Sequence, residues 1–559
     1  MKNAVRTIIL LALLLMPNVY AMVTATNLNY SVGKEVAYLA VVLLSLALPA
    51  TLLKARAYFI FEGVVQMLFF PFEMVSLYLN GLTINYHFLD FITLTNIHEA
   101  TELAGSLWFI LLAVVLIWIL YFTLAAKVDN KFLIPAKTRK AVWIGIPLLF
   151  IAGMIALSRV SDPNTNEKSA RKRLELVFET TLNKFEKIYP YDVYLSIWQL
   201  HEYRERIRKM EKQIASFSFN LQADTSAVRK HYVLVLGEAL RADHLHLNGY
   251  ERNTTPMLDS VKGLVSFTKM YSQANLTSQS LPLIVSRADV QHRDIAYTEK
   301  SLPEAFAEAG YKTAWISNHE ASAFTRRISN KLDYQFYTTD TYGIIAFDTI
   351  LIRQLSEFLK QHADVNTMTV VHCIGSHFKY CERYPDEYNV FSPAMSSADG
   401  YAILSPEHKN KIINAYDNTV LYEDYVWANL IKTLDSADGE CVLMFISDHG
   451  ENLVDDENNL ILHGTYIGTQ YEAHVPLLVW VNRQFKEAHP KETSAMLSNS
   501  GKQLSSDVVF HSFTGIGGFQ SITDSTKNIF SPALAEKDTI LMLTGSERIL
   551  NLCHKTSVK

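Results

Sequence analysis

Carboxylates and imidazoles gather at the ends of three apolar, strand-like runs in the second half of this sequence. Glu238 follows the run 231–237, and Asp448 and His449 follow the run 441–447. The same region also supplies Arg241, Asp243, His372, His377, His463 and His474. Oxygen and nitrogen donors without cysteine suit Zn²⁺, with Mn²⁺ as the less favoured ion. The pattern therefore predicts a metal site.

The ordinary interpretation of such residues is structural. A single acidic residue or histidine after a strand is commonly a helix cap or a satisfied core group. For His372, His474 and Asp243 the two interpretations stay open, since each could equally support a site or serve the fold alone. Three converging clusters favour a site for the set as a whole.

Alternating segments must position these side chains. Strand-like apolar runs occur at 231–237, 311–318, 368–375, 441–447 and 474–481, and helical periodicity occurs at 301–310, 347–363 and 422–435. Such alternation predicts an α/β fold with a mostly parallel sheet flanked by helices. In open sheets of this kind the active site lies beyond the carboxyl ends of the strands.

The first 160 residues have a different composition. The 559-residue chain is 49% apolar and 19% charged, and its longest apolar stretches lie near residues 5–25, 36–53, 58–79, 107–126 and 141–158. Each is long enough for a bilayer, which needs about 20 residues. We therefore expect an N-terminal transmembrane domain of five helices over residues 1–160. The formal charge of −5 gives no basic signature for nucleic acid.

Loop charges predict the orientation of these spans. Lys54 and Arg56 lie in one loop and five basic residues lie in the loop 127–140, whereas the loop 80–106 has none. The positive-inside rule then places the N-terminus in the cytoplasm and everything after residue 160 outside it. A cleaved signal peptide over the first span is the alternative, because Lys2 and Arg6 precede its apolar core.

A charged stretch joins the two halves. The pattern of residues 161–230 suggests amphipathic helices broken near Pro190, and their charges are expected to form a solvated face. Residues 231–559 are expected to form the soluble catalytic domain. The loop 80–106 faces the same outer side as the soluble half and is called the outer loop. Within it, Thr95 and Glu99 stand four residues apart, so a helix would place them on one face. That face is either a solvated surface or a polar patch that touches a lipid head group.

The four cysteines show no zinc-binding spacing. Cys373 and Cys381 are close enough in sequence for one extracytoplasmic disulfide, which the sequence alone leaves open. Cys441 lies within an apolar run and is expected to be a buried thiol.

Several motifs carry a family resemblance. GEALRADHLHLNGYERNTTP (237–256), HCIGSHFKYCERYP (372–385), YDNTVLYEDY (416–425), SDHGEN (447–452) and LHGT (462–465) resemble the lipopolysaccharide phosphoethanolamine transferases. These are membrane-anchored members of the alkaline phosphatase and sulfatase superfamily, and they include colistin-resistance enzymes. The resemblance covers nearly the whole chain. It implies an alkaline-phosphatase-like periplasmic domain on an inner-membrane anchor.

The resemblance also implies site residues. Its zinc ligands correspond to Glu238, Thr277, Asp448 and His449. Thr277 would be the nucleophile, in the T-x-x-S-x-P pattern of residues 277–282. Family histidines that contact the substrate phosphate correspond to His377 and His463, and the outer-loop polar residues resemble Thr95 and Glu99. One zinc ion is expected, and a second stays open.

The chemistry that follows from this resemblance is a two-step transfer. A threonine hydroxyl needs a metal or a base to become an alkoxide, and a site with two carboxylates and one histidine leaves a position for Thr277. Thr277 would take phosphoethanolamine from phosphatidylethanolamine and pass it to lipopolysaccharide. His377 and His463 would stabilise phosphoryl oxygens or shuttle protons. A monomer in contact with inner-membrane lipids is expected, and the product would favour resistance to polymyxin and other cationic peptides.

This sequence also departs from the family pattern. The family segment D-N-x-S-G-C-K reads SNHEASA at 317–323, without its lysine. Arg326 or Arg327 is the candidate substitute in phosphate binding. The asparagine expected four residues before Thr95 is Phe91, which puts the head-group contacts of that loop in question.

The sequence leaves alternative functions open. A phosphoglycerol or phosphoethanolamine transferase acting on a periplasmic glucan or another acceptor would share the spans, metal and threonine. A sulfatase would need C/S-x-P-x-R at its nucleophile, which does not surround Thr277. A non-catalytic sensor or scaffold is the remote alternative. The sequence does not distinguish lipid A phosphate from a core sugar as acceptor.

Overall fold

The computed structural model describes residues 2–25, 48–80, 108–145, 188–223, 228–342, 344–465, 467–553 and 556–558, with positions 42, 46, 83, 84, 86, 89 and 148. Within it the chain forms two compact units, Met1–Arg206 and Ile207–Lys559. Each unit has its own hydrophobic core.

The first unit is helical. Its helices are α1 (Lys2–Ala25), α2 (Ala55–Asn80), α3 (Trp108–Ala126) and the start of α4 (Tyr191–Ser216). Within the described residues, Asn3–Ala21 and Ala55–Leu77 are long and apolar enough to cross a membrane, and Leu112–Ala126 is a shorter apolar helix. These segments match the first, third and fourth predicted spans.

Two predicted spans, 36–53 and 141–158, lie mostly outside the described residues. The count of five therefore stays a prediction, as does the orientation. Helix α4 begins directly after Pro190, where the sequence predicts a break. Most of the predicted bridge before it, residues 161–187, is also outside the described residues.

The second unit is an α/β domain with a mixed eight-stranded sheet. Its strands are β1 (Lys230–Gly237), β2 (Leu264–Tyr271), β3 (Lys312–Ser317), β4 (Tyr334–Tyr337), β5 (Thr367–His372), β6 (Glu440–Ser447), β9 (His474–Val481) and β10 (Leu504–Ser505). Their order across the sheet is β10-β2-β9-β6-β1-β5-β3-β4. Two small sheets contain β7 (Asn452–Leu453), β8 (Ile461–Leu462), β11 (Leu541–Leu543), β12 (Ile549–Asn551) and β13 (Thr556–Val558).

Helices cover the large sheet. They are α5 (Thr277–Ile284), α6 (Leu302–Glu308), α7 (Ala323–Ser329), α8 (Thr338–Tyr342), α9 (Thr349–Gln361), α10 (Lys409–Asp435), α11 (Gln470–Ala473), α12 (Arg483–Ala488), α13 (Pro490–Asn499) and α14 (Val508–Ile516). The central strand β1 is buried on both faces: Tyr232 and Leu234 pack into one hydrophobic cluster, and Val233 and Val235 pack into another. Alternation of this kind is what a strand covered on both sides requires.

The five predicted strands and three predicted helices are present, with three differences. Strand β9 is antiparallel to both its neighbours, so the sheet is mixed. Strands β2, β4 and β10 were not predicted, because they are short or partly exposed and lack a long apolar run. Helix α10 begins at Lys409, well before the predicted start at residue 422, because buried polar residues hide the helical periodicity of its first half.

Candidate active site

Strand register brings the sequence-distant polar residues together. Gly237 at the end of β1 pairs with Ser447 at the end of β6. One residue earlier, Leu236 pairs with His372 of β5, which pairs with Ser317 of β3. Four parallel strands therefore end at one edge of the sheet, and their following loops meet there, as expected for an open α/β sheet.

Glu238 is held in a tight turn at this edge. Its side chain is fully buried, and its backbone oxygen accepts the N–H of Ser376 at 3.0 Å. Gly375 has φ +50, and a Cβ there would lie 3.0 Å from both the backbone nitrogen and the backbone oxygen of Glu238. This close approach accounts for glycine in the GSH motif.

Thr277 is the first residue of α5 and points at Glu238. Its Oγ lies 3.1 Å from each carboxylate oxygen of Glu238 and 3.2 Å from Nε2 of His449. A hydroxyl held between a buried carboxylate and an imidazole has the geometry that nucleophilic catalysis requires. The structure thus brings together three of the four residues predicted to bind zinc, and Asp448 completes the set.

Asp448 is locked by backbone donors. Its Oδ1 accepts the N–H groups of Ala239 at 3.2 Å and His449 at 2.7 Å. Its Oδ2 lies 3.4 Å from Nε2 of His449, yet it is a buried oxygen without a hydrogen-bond partner among the described residues. A buried carboxylate oxygen left in this state fits a metal ligand.

The ring of His449 is oriented by the chain itself. Its Nδ1 lies 2.9 Å from the carbonyl oxygen of Gly450 and donates to it. Nε2 therefore faces Thr277 and lies 3.2 Å from Oε1 of Glu238. Such a backbone bond on the far nitrogen is the usual support of a metal-binding histidine.

The electrostatics of the cluster also suit a cation. Burial and the charge of Glu238 raise the pKa of Asp448 to about 7. Burial alone would lower the pKa of His449, but the carboxylates of Asp448 and Glu238 raise it to about 10. Burial would also raise the pKa of Glu238, yet the bond and charge of His449 hold it well below its usual range. A divalent cation would compensate both buried carboxylates.

His463 is closer to this centre than a substrate contact alone requires. Donor atoms of Glu238, His449 and His463 all lie within 4.8 Å of one another, and the His463 ring is 4.0 Å from that of His449. Its Nδ1 lies 3.2 Å from Oε1 of the fully buried Glu451. His463 is thus placed for either a metal or a phosphoryl group.

His377 faces the same space from the β5 side. Its Nδ1 donates to the carbonyl oxygen of Phe378 at 2.6 Å, and its ring is 6.4 Å from that of His463. Burial lowers the pKa of His377 to about 3. The ring is therefore neutral, with an unprotonated Nε2 that can accept a proton.

His319 is a site residue that the sequence analysis missed. Its Nε2 lies 3.6 Å from Oε2 of Glu238 and has no hydrogen-bond partner in the described part of the chain. Its ring stacks on His372 at 4.9 Å and is 5.8 Å from His377. The available signal was its position two residues after β3, the same strand-end rule that found Glu238.

The loop of Thr277 is fixed by side-chain hydrogen bonds. Ser280 donates to the carbonyl oxygen of Asp448 at 2.5 Å, and Ser272 donates to the same oxygen. Asn275 donates to the carboxylate of Glu472 at 2.9 Å. Two serines thereby tie the threonine loop to Asp448, and Asn275 ties it to helix α11.

Other predicted residues lie in supporting or separate positions. Arg241 is buried and pairs with Asp243 and Asp455 at 2.6 Å each, and it donates to the backbone of Glu451 at 3.3 Å. This pairing lowers the pKa of Asp243 to about 2 against the effect of burial. His474 instead donates to the carbonyl oxygen of Thr268 at 2.8 Å, so it joins the start of β9 to strand β2.

The remaining predicted residues are two arginines, three cysteines and two residues of the outer loop. Arg326 pairs with Asp340 at 2.7 Å and Arg327 with Glu304 at 3.5 Å, and a role of either in phosphate binding stays a prediction. Cys373 and Cys381 are free thiols, so the disulfide that the sequence left open is not formed in this structure. Cys441 is buried, as predicted. Thr95 and Glu99 lie outside the described residues.

Residues 230–518, more than half of the chain, match the sulfatase family. The chain belongs to the sulfatase family. The matched region of this sulfatase-family domain begins at β1 and contains Glu238, Thr277, Asp448 and His449.

Two phosphoethanolamine transferases, EptA and EptC, are similar to this sulfatase-family chain. EptA of Helicobacter pylori is 31% identical over 291 residues, which cover 51% of this chain and 53% of EptA. EptC of Escherichia coli is 26% identical over 474 residues, which cover 79% of this chain and 77% of EptC. The chain thus spans about half of the first relative and about three quarters of the second.

Solved structures agree on the fold. The periplasmic domain of Escherichia coli EptC, solved in complex with Zn, has a TM-score of 0.52 at 25% identity and covers 60% of this chain and 95% of that domain. The integral membrane protein lipooligosaccharide phosphoethanolamine transferase A from Neisseria meningitidis has a TM-score of 0.66 at 20% identity. The match covers 94% of this chain and 98% of that protein.

Proposed function

We propose that the protein is a metal-dependent transferase that moves phosphoethanolamine from phosphatidylethanolamine to a lipopolysaccharide acceptor through Thr277. The observation that carries the proposal is the placement of the Thr277 hydroxyl, 3.1 Å from Glu238 and 3.2 Å from His449. The names of the relatives support the transferred group, because both are phosphoethanolamine transferases.

Zinc is the proposed cofactor. Glu238, Thr277, Asp448 and His449 would hold it, with His463 available as a further donor. When bound, zinc would lower the pKa of the threonine hydroxyl and favour its alkoxide. The Zn complex of the Escherichia coli EptC domain supports this choice over Mn²⁺.

The first half-reaction would load the enzyme. The Thr277 oxygen attacks phosphorus of phosphatidylethanolamine and forms a new P–O bond. The bond from phosphorus to the glycerol oxygen breaks, and diacylglycerol leaves with a proton. The hydrogen bonds of Ser272 and Ser280 to the Asp448 backbone keep Thr277 in place during this attack.

The second half-reaction would unload it. An acceptor hydroxyl or phosphate oxygen attacks the same phosphorus, and the Thr277 oxygen leaves. His377 suits the base of this step, because it is neutral and its Nδ1 is already bound to Phe378. Its Nε2 can then take the acceptor proton.

His319 would contact the phosphoryl group in place of the family lysine. Its unpartnered Nε2 lies near Oε2 of Glu238, whereas Nε2 of His449 lies near Oε1. A histidine there supplies a hydrogen bond without the permanent charge of lysine. His319 is preferred to Arg326 and Arg327 for this role, because Arg326 pairs with Asp340 and Arg327 lies beside Glu304.

The proposed location is the inner membrane, with a cytoplasmic N-terminus and the catalytic domain in the periplasm. The two long apolar helices support a membrane anchor. Thr95 and Glu99 would touch the lipid head group. The enzyme would act as a monomer, and the added amine would reduce the negative charge that attracts polymyxin.

The test compares lipopolysaccharide from cells that carry the wild-type gene or Thr277→Ala. Mass spectrometry should show phosphoethanolamine on lipid A or core sugar only with the wild type. Purified protein should likewise use vesicles of phosphatidylethanolamine and not of phosphatidylglycerol. Transfer of phosphoglycerol, or an unchanged lipopolysaccharide with a modified glucan, would overturn the assignment.

A further inference from the structure

Asp348 connects two loops of the active site from below. It directly precedes α9 and is buried. Its Oδ1 accepts the side-chain amide of Asn318 at 2.7 Å and the N–H of Ile374 at 3.1 Å. Its Oδ2 accepts the N–H of Gly375 at 2.9 Å. Asn318 precedes His319, and Gly375 packs against Glu238, so one carboxylate fixes both loops.

A second buried carboxyl group lies against Asp348. Glu423 projects from α10 and is 1% exposed. Donor atoms of Asp348, Glu423 and Cys373 all lie within 4.8 Å of one another. Neither oxygen of Glu423 has a hydrogen-bond partner among the described residues. An ionised Glu423 would therefore face a like charge in a low-dielectric interior, which is strongly unfavourable.

One donor stands ready beside this group. Trp427 lies one helical turn after Glu423, so the two side chains share a face of α10. Its indole N–H is buried and has no partner in the described part of the chain. The contact of the two carboxyl groups lacks a donor, because an ionised Glu423 and an ionised Asp348 offer only acceptors to each other, and a proton on Glu423 would supply that donor.

We propose that Glu423 is protonated at neutral pH and shares its proton with Asp348, so that the pair acts as a positioning element for the active-site loops. The Glu423 O–H donates to Asp348, and its carbonyl oxygen accepts the indole N–H of Trp427. One proton then supplies the donor that the two carboxyl groups lack. Burial and the charge of Asp348 raise the pKa of Glu423 well above its usual range, in agreement with this arrangement.

A metal ion is the competing occupant of the Asp348–Cys373–Glu423 cluster. Both oxygens of Asp348 already accept N–H donors, three in total. Burial and the charge of Asp348 raise the pKa of the Cys373 thiol well above its usual range, so the thiol keeps its proton and is a poor ligand. The arrangement therefore favours the shared proton.

Infrared difference spectroscopy tests the proton directly. The spectrum of wild type minus Glu423→Gln should contain the carbonyl band of a protonated carboxyl group, while metal content per chain stays the same in both proteins. Glu440→Gln is the matched control, because Glu440 is buried but pairs with His489 at 2.9 Å at the other end of β6. Absence of the band, or loss of one metal per chain in Glu423→Gln, would overturn the proposal.

The positioning role rests on the proposed function and has its own readout. Glu423→Gln retains a donor for Asp348 and an acceptor for Trp427, so kcat should change little. Glu423→Ala loses both, and kcat should fall on the order of a hundredfold with little change in KM. Equal kcat for the two variants would contradict the positioning role. The infrared result requires no turnover, so it stands or falls independently of the transferase activity.

Discussion

Oγ of Thr277 lies 3.2 Å from Nε2 of His449, although 172 residues separate them in the sequence. The sheet produces this contact, because β1 and β6 are neighbours and end in register. The loop of Thr277 is then tied to the backbone of Asp448 by Ser272 and Ser280. The fold thus positions Thr277, the proposed nucleophile, beside the residues proposed to hold the metal.

Removal of one buried carboxylate should have opposite effects with and without zinc. Without zinc, Asp448→Asn should keep or raise Tm, since it removes one of two adjacent buried carboxylates. With free zinc at a hundred times Kd, wild type should gain about 2.7 kcal/mol, and the variant should gain much less. Thermal melting with and without a chelator measures both.

Asp424→Asn is the control for this prediction. Asp424 is also buried, and burial raises its pKa to about 6, but it accepts backbone N–H groups of Met257 and Leu258 away from the site. It should leave the zinc-dependent gain intact. An equal zinc-dependent gain in Asp448→Asn and wild type would show that Asp448 is not a ligand.

Zinc affinity should fall as pH drops through neutrality. The pKa of Asp448 is raised in the fold from 3.8 to about 7, so the metal-free protein is favoured by the bound proton and loses stability as pH rises between these values. Zinc must displace that proton and also the proton that the raised pKa of about 10 keeps on His449, so affinity should drop about a hundredfold per pH unit below about 7 and about tenfold per unit just above it. Calorimetric titration at several pH values checks this, and a flat profile across neutrality contradicts it.

Gly375→Ala should damage both stability and activity. At φ +50 a side chain is strained, and a methyl group 3.0 Å from the Glu238 backbone must displace Glu238. The free energy of unfolding should therefore fall by more than about 1 kcal/mol. Gly501→Ala is the control, because a Cβ there meets nothing within 4 Å. Equal denaturant midpoints for the two variants would show that the turn tolerates a side chain.

How far could this site be predicted from the sequence? The strand-end rule identified Glu238, Asp448 and His449, because long buried strands such as β1 and β6 are readable as apolar runs. The same rule applied to β3 would have given His319. The role of Thr277 came from family resemblance, since an exposed-looking polar loop carries no periodic signal of its own.

Other features depend on contacts between distant segments. The bonds of Ser272 and Ser280 to Asp448 span 176 and 168 residues, and no local pattern encodes them. The reversed direction of β9 depends on its pairing with β2 and β6, and β2 itself was hidden by partial exposure. The sequence could not predict the proposed protonation of Glu423, because its neighbours Asp348 and Cys373 come from distant segments beside α9 and β5.

Glu451→Gln should weaken catalysis by altering His463. The buried carboxylate accepts the Nδ1 proton of His463 at 3.2 Å, and a neutral amide holds the ring less well. We expect kcat/KM to fall about 10- to 100-fold. Glu440→Gln, which alters a buried glutamate–histidine pair outside the site, should retain wild-type kinetics. Unchanged kinetics in Glu451→Gln would remove His463 positioning from the account.

The central claim is that Thr277 carries the phosphoethanolamine group between donor and acceptor. The most direct measurement is peptide mass spectrometry of the purified full-length protein after incubation with phosphatidylethanolamine and no acceptor. Phosphoethanolamine should be found on the peptide that contains Thr277, in wild type and more weakly in Thr277→Ser, and should disappear on addition of lipopolysaccharide. An adduct on another residue, or full transfer activity in Thr277→Ala, would contradict the account.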